Sequence, residues 1–173
     1  MTYFLDFDYT LFDADAFVAH LIAHAGDPPA GTFTEEWVEK AFAALSARGA
    51  LGSVPNDLQS FLYPDVAPFF KEKGEAVDVI TFGNPRIQAV KVENALATIP
   101  YRHVWYTGQM RKGEFMKEKG CLSEGNIIVV DDRPLELENL AAHCPSVQLY
   151  EMRRDGAAGD GRWPVVRSLN NLP

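Results

Sequence analysis

The residues best equipped for chemistry stand in small polar groups, each directly after a short apolar run. Asp6 and Asp8 follow Tyr3–Leu5, and Thr81 follows Val77–Ile80, a run interrupted once by Asp78. Asp131 and Asp132 follow Ile127–Val130, and Lys112 lies four residues after Gly108, just beyond a run at His103–Tyr106. Carboxylates, a hydroxyl and an ammonium suit a divalent cation together with a phosphate. The acids offer hard oxygen ligands, while the hydroxyl and the ammonium hold anionic oxygens. Such chemistry requires the groups to meet, although more than a hundred residues separate Asp6 from Asp132.

The elements around them supply the meeting place. The runs are β-branched and aromatic, nearly continuous, and of strand length, which suits strands buried on both faces of a parallel sheet. Ser146–Tyr150 is a weaker fifth run, and Val165–Leu169 a short C-terminal element beyond the Gly156–Gly161 loop. Helix-length segments lie between the runs, so the alternation predicts an α/β fold with a central parallel sheet. In such a sheet ligands bind outside the carboxyl ends of the strands. The polar groups stand at those ends.

The helices carry their own signals. Asn84-Pro85 reads as an N-cap with proline at the first helical position, followed by Ile87 and Val90 on one face. Pro64 opens PDVAPFFKEKG, with lysines and Gly74 as its stop and Pro68 as a point of kinking. Lys112 to Lys119 is a further short helix. After Asp8 no strand-like run occurs until Val77, far longer than an ordinary crossover. Ala14–Ala25 and Thr34–Arg48 read as helices there, the second with Trp37, Val38, Ala41, Phe42 and Leu45 on one stripe. The expected organisation is therefore a core of residues 1–13 and 62–173 with a helical cap inserted at 14–61.

Composition excludes several classes. The 173 residues suit one domain with an insertion, and 47% hydrophobic with 23% charged is globular. Sixteen basic against twenty-four acidic residues give a formal charge of −8, which argues against nucleic acid as a bulk partner and against an anionic membrane. A small phosphorylated substrate is compatible with that charge when a cation offsets the phosphate locally. Two cysteines without CxxC spacing suggest reduced thiols. The start MTYFLDFD lacks a signal-peptide pattern, and no apolar run is long enough to span a bilayer, so a cytoplasmic protein is expected.

DFDYT at 6–10 resembles the DxDxT signature of the haloacid dehalogenase (HAD) superfamily, and the other motifs follow in that family's order: Thr81, Lys112, then Asp131-Asp132. The resemblance spans Tyr3 to about Leu169 and includes the place where many members carry a cap. It implies a HAD-like Rossmannoid three-layer sandwich and a phosphatase-branch hydrolase using Mg²⁺. Asp6 would be the nucleophile that forms an aspartyl-phosphate. Asp8 would be the general acid and then base, and its presence distinguishes phosphate ester chemistry from the dehalogenase branch, which lacks it. Asp6, the Asp8 carbonyl, Asp131 and Asp132 would hold the metal. The Thr81 hydroxyl, the backbone N–H groups of Phe82 and Gly83, and Lys112 would hold phosphate oxygens, with Thr10 orienting Asp8. A phosphotransferase or mutase would share every one of these residues, and a catalytically silent phosphate-binding protein would differ only in shape.

Other residues have plainer readings. Lys91 falls mid-helix, about two turns from the strand end, and is expected to point away; Lys117 lies more than a turn beyond Lys112. His20 and His24 have i, i+4 spacing without an evident third ligand, so half-buried or solvated rings are expected. Arg86 and Arg133 flank the site and suit either steering of an anionic substrate or solvation. A receiver-type signalling domain uses similar residues, but there the acidic pair precedes the phospho-accepting aspartate, the reverse of this chain. Small phosphorylated metabolites are the expected substrates, and apolar cap surface would let two chains pair as a homodimer.

Overall fold

The computed structural model describes residues 1–25, 34, 36–38, 40–41, 57–121 and 125–173. One sheet contains β1 (Thr2–Leu5), β2 (Val77–Thr81), β3 (His103–Tyr106), β4 (Ile127–Asp131), β5 (Gln148–Met152) and β6 (Val165–Val166), in the order β3-β2-β1-β4-β5-β6. Every neighbouring pair is parallel. The helices whose bounds fall among the described residues are α1 (Ala14–Ala25), α2 (Val66–Lys73), α3 (Pro85–Ala95), α4 (Lys112–Lys119) and α5 (Pro134–His143).

Alternation along the strands sends successive side chains to opposite faces and so divides the core. Tyr3, Leu5, Val79 and Val130 form one cluster with Phe17 and Leu21 of α1, Phe70 of α2 and Val92 of α3. Phe4, Ile80 and Val129 form the other with Phe115 and Met116 of α4 and Leu137 and Leu140 of α5. The sheet is the middle of three layers. The chain runs outward from β1 to β2 and β3, then crosses back to β4 on the far side of β1. Loops diverge at such a reversal and leave a crevice beyond the strand ends.

Asp78, the charge that interrupts β2, is held by Arg102 through Nε (2.6 Å) and Nη2 (2.7 Å), and by the Trp105 indole N–H at 2.9 Å. A buried carboxylate is tolerable when matched in this way. The expected fifth strand begins two residues late, at Gln148, because Cys144–Val147 close a turn in which the Val147 N–H donates to the Cys144 carbonyl. The proline-opened helix begins at Val66, so Pro68 falls in its first turn, where no intrahelical donor is lost. Gly74 ends it without the left-handed conformation expected of a stop, at φ −55°. Glycine is needed there for closeness: a Cβ would collide with the Pro100 carbonyl oxygen.

Of the expected helix Thr34–Arg48, residues 36–38 and 40–41 are helical and the rest lies outside the described residues. The chain leaves and re-enters the core through a paired neck. The Asp13 N–H donates to the Phe61 carbonyl (2.8 Å), the Tyr63 N–H donates to the Leu11 carbonyl (3.0 Å), and Phe12 bridges Leu62 in antiparallel fashion. Phe17, Leu21, Trp37, Ala41 and Leu58 pack into the same apolar cluster as β1.

Candidate active site

Asp6 directly follows β1, and its N–H is fixed by the Val130 carbonyl at 2.9 Å. The chain then folds over itself: the Leu11 and Phe12 N–H groups both donate to the Phe7 carbonyl, and the Tyr9 N–H donates to the Phe12 carbonyl. Tyr9 takes φ +59°, a strained choice for a residue with a side chain, and its hydroxyl donates to Asp15 at 2.9 Å. The tight turn brings Asp6 and Asp8 to the same cavity. That cavity has a volume of about 380 Å³ and is lined by Asp6, Asp8, Thr81, Phe82, Lys112 and Asp132, together with Tyr9 and Arg133.

Lys112 opens α4 and is buried. Its ammonium lies between Asp6 Oδ1 and Asp131 Oδ2, the latter at 2.5 Å. Its main-chain N–H donates to Glu136 Oε2 (3.0 Å), while Arg111 donates to Glu136 Oε1 (2.6 Å). Asp131 closes β4, with its other oxygen accepting the Arg133 N–H at 2.9 Å. One carboxylate oxygen from each of Asp6, Asp131 and Asp132 lies within 4.8 Å of the others.

A single ammonium among three carboxylates leaves the cluster short of positive charge. Burial pushes the Asp6 carboxyl well above its ordinary range; Lys112 opposes this, and Asp131 and Asp132 add to it. Asp132 is raised to about 6 by burial and then by Asp131. For Lys112, burial works downward but is outweighed by Asp131 and Asp6, so its net shift is upward. All-oxygen donors carrying excess negative charge fit Mg²⁺.

Asp8 has different partners. Its Oδ2 accepts from Gln88 Nε2 at 2.9 Å and its Oδ1 from the Lys91 ammonium. Lys91 therefore points toward the site, contrary to the expectation from its mid-helix position. The buried face of α3 carries Gln88, Lys91, Val92 and Ala95, while Val90 is exposed and Ile87 half-buried. The two apolar residues suggested the wrong rotation because the true inward polar groups are satisfied by Asp8. Lys117 is exposed.

Two expected roles are also corrected. Thr10 is fully buried and its hydroxyl finds no partner among the described residues, so it does not hold Asp8. The Thr10 carbonyl instead accepts from Arg154 through Nε (3.0 Å) and Nη2 (2.7 Å), and Arg154 pairs with Asp65 at 2.7 Å. The Gly83 N–H donates to the Gly108 carbonyl at 2.9 Å, which removes it from the phosphate-binding set. Thr81 is buried at the end of β2, and its carbonyl accepts the Thr107 N–H at 3.0 Å.

Arg133 lies over the Phe82 ring at 5.4 Å on the rim of the cavity, and Arg86 is exposed. His20 is half-buried with its ring edge-on to Phe61 at 5.5 Å, and the His24 side chain lies outside the described residues. Sequence reading missed Gln88 and Glu136. The only signal for Glu136 was an acid in the first turn after Pro134, which occurs in many helices for the macrodipole alone.

The sequence matches no protein-family model and no curated protein. Solved structures do match. A haloacid dehalogenase-like hydrolase from Burkholderia xenovorans is 14% identical with a TM-score of 0.68, over 99% of this chain and 94% of that one. The HAD-hydrolase YfnB from Bacillus subtilis, bound to magnesium, is 14% identical with a TM-score of 0.65, over 99% and 96%. The L-2-haloacid dehalogenase from Xanthobacter autotrophicus, with chloropropionic acid covalently bound, is 16% identical with a TM-score of 0.57, over 99% and 96%. The fold of this chain is therefore the HAD-like Rossmannoid α/β fold.

Proposed function

We infer that the protein is a hydrolase of small phosphate monoesters, using Mg²⁺ and an aspartyl-phosphate on Asp6. The observation that carries this reading is the convergence of Asp6 and Asp8 on one cavity beside an under-neutralised carboxylate cluster. An Asp6 oxygen attacks phosphorus while the bond from phosphorus to the ester oxygen breaks. The Asp8 carboxylic acid gives its proton to that oxygen, releasing an alcohol and leaving a carboxylate. Asp8 then takes a proton from the water that attacks the acyl-phosphate, and inorganic phosphate leaves with Asp6 restored.

Lys112, the Thr81 hydroxyl and the Phe82 N–H hold the phosphate oxygens as charge builds on them. Asp6, Asp131, Asp132 and the Asp8 carbonyl would hold Mg²⁺, which supplies neutralisation of the incoming dianion. A cavity of about 380 Å³ accommodates a small metabolite. Among the similar structures one hydrolase is bound to magnesium and another is a dehalogenase, so the fold alone does not choose the chemistry. Asp8 favours the phosphate-ester chemistry, because displacement of halide from carbon needs no proton donor.

The test is release of inorganic phosphate from a panel of phosphorylated metabolites, with Mg²⁺ and with EDTA. Metal-dependent release from at least one ester is expected. Silence across the panel, joined to halide release from a haloacid, would replace this reading.

A further inference from the structure

We propose that Lys91, with Gln88, is a positioning residue that holds the Asp8 carboxyl group in place for proton transfer to the leaving group. The assignment rests on the phosphate-ester reading of Asp8. Lys91 is 7% exposed, on the inward face of α3. An ammonium in such a place costs several kcal/mol unless it is matched. Its partners among the described residues come from the turn after β1. Besides Asp8 Oδ1, its Nζ lies 5.5 Å from the centre of the Phe7 ring and 5.2 Å from that of Phe12, and those rings stack at 5.0 Å.

Gln88 precedes Lys91 by three residues and shares its face of the helix. Its amide reaches Asp8 Oδ2 at 2.9 Å and the Phe82 carbonyl at 3.2 Å, and so ties the Asp8 turn to the loop after Thr81. Each oxygen of Asp8 thus has its own donor, and both donors are mounted on one helix. Lys91 does not line the cavity, whereas Asp8 does. Its influence on substrate passes through Asp8. A carboxyl at a turn, 25% exposed, would otherwise sample several rotamers. Proton transfer tolerates little of that freedom, since it needs the two heavy atoms within hydrogen-bond reach.

The test compares kcat/KM for two esters in Lys91→Met and Gln88→Leu against the unaltered protein. Propyl phosphate expels an alkoxide and needs the Asp8 proton, whereas p-nitrophenyl phosphate expels a stable phenolate and does not. Because kcat/KM covers only steps through cleavage of the ester, later hydrolysis of the aspartyl-phosphate does not blur it. The expected result for Lys91→Met is a loss on the order of a hundredfold for propyl phosphate with little change for p-nitrophenyl phosphate. Gln88→Leu should show the same selectivity, more weakly. Equal losses on both esters would overturn the proposal, because a purely structural role moves both alike. If the unaltered protein turns over neither ester, the wider ester panel decides the phosphatase reading and a urea-unfolding cycle of Lys91→Met with Asp8→Asn decides the coupling of the two residues. Non-additive midpoints uphold the coupling of Lys91 to Asp8, and additive ones overturn it.

Discussion

Two aspartates two residues apart each meet a lysine, yet the two contacts are built differently. Lys112 comes from α4 behind one face of the sheet and is shared by Asp6 and Asp131, with side-chain exposures of 1%, 8% and 0%. Lys91 comes from α3 behind the other face and, among the described residues, pairs with Asp8 alone, at 8% and 25% exposure. In the first contact one ammonium answers three carboxylates; in the second the charges balance one to one. The unbalanced cluster is suited to taking up a dication and a phosphate. The balanced pair needs no further charge, which suits the positioning role proposed for Lys91. On the proposed reading, two positions of one turn acquire separate duties from opposite layers of the fold.

The largest effect that tests this division is expected at the two aspartates. Asp6→Asn should remove steady-state phosphate release altogether, because no acyl-phosphate can form. Asp8→Asn should slow alkyl esters by about 10²- to 10⁴-fold. Equal residual activities in the two variants would erase the distinction. Glu136 is the next point of attack, since its buried carboxylate accepts both the Lys112 N–H and Arg111. Glu136→Leu leaves the Lys112 N–H without its acceptor, at a cost of about 1–3 kcal/mol of stability by urea denaturation. It should also weaken binding of a phosphate analogue such as vanadate more than it alters the contact of Lys91 with Asp8.

The smallest effect concerns a carboxylate with no part in the chemistry. Asp65 accepts from Arg154, Ser168 and the Leu169 N–H, and although burial works upward, those bonds hold its pKa below the usual carboxylate value. A carboxylate with a depressed folded pKa contributes stability that is complete above its unfolded value, about 3.9, and is lost as pH falls through the lower folded value. Asp65→Asn should therefore flatten the acid limb of the thermal-unfolding curve below about pH 4. An unchanged acid limb would show that Asp65 gains nothing from these bonds.

Much of this arrangement was legible before any coordinates. Strand ends in a parallel α/β sheet share one edge, so Asp6, Thr81 and Asp131 could be brought together from alternation alone. Lys91 could not, because a helix's rotation about its axis is set by what it packs on. Ile87 and Val90 suggested an apolar face, while the inward face carried polar groups whose partners lie eighty residues away. Thr10 was misread for a related reason: the spacing DxDxT says nothing of dihedral angles, and the positive φ of Tyr9 turns the chain so that the next hydroxyl is buried. The Gly83 N–H was lost to a carbonyl on a neighbouring loop, a contact that no local pattern announces.

The paired neck at 11–13 and 61–63 has a consequence for how this chain tolerates change. Because the two backbone strands are joined by their own hydrogen bonds, the intervening segment is a loop with its ends already closed. The entropy of closing a loop grows only logarithmically, by about 0.6 kcal/mol per doubling of length. Insertions or deletions that spare Phe17, Leu21, Trp37, Ala41 and Leu58, which pack into the β1 core, should therefore leave the sheet edge and its aspartates in register. The neck thus uncouples the length of the chain between its two halves from the register of the aspartates that precede it.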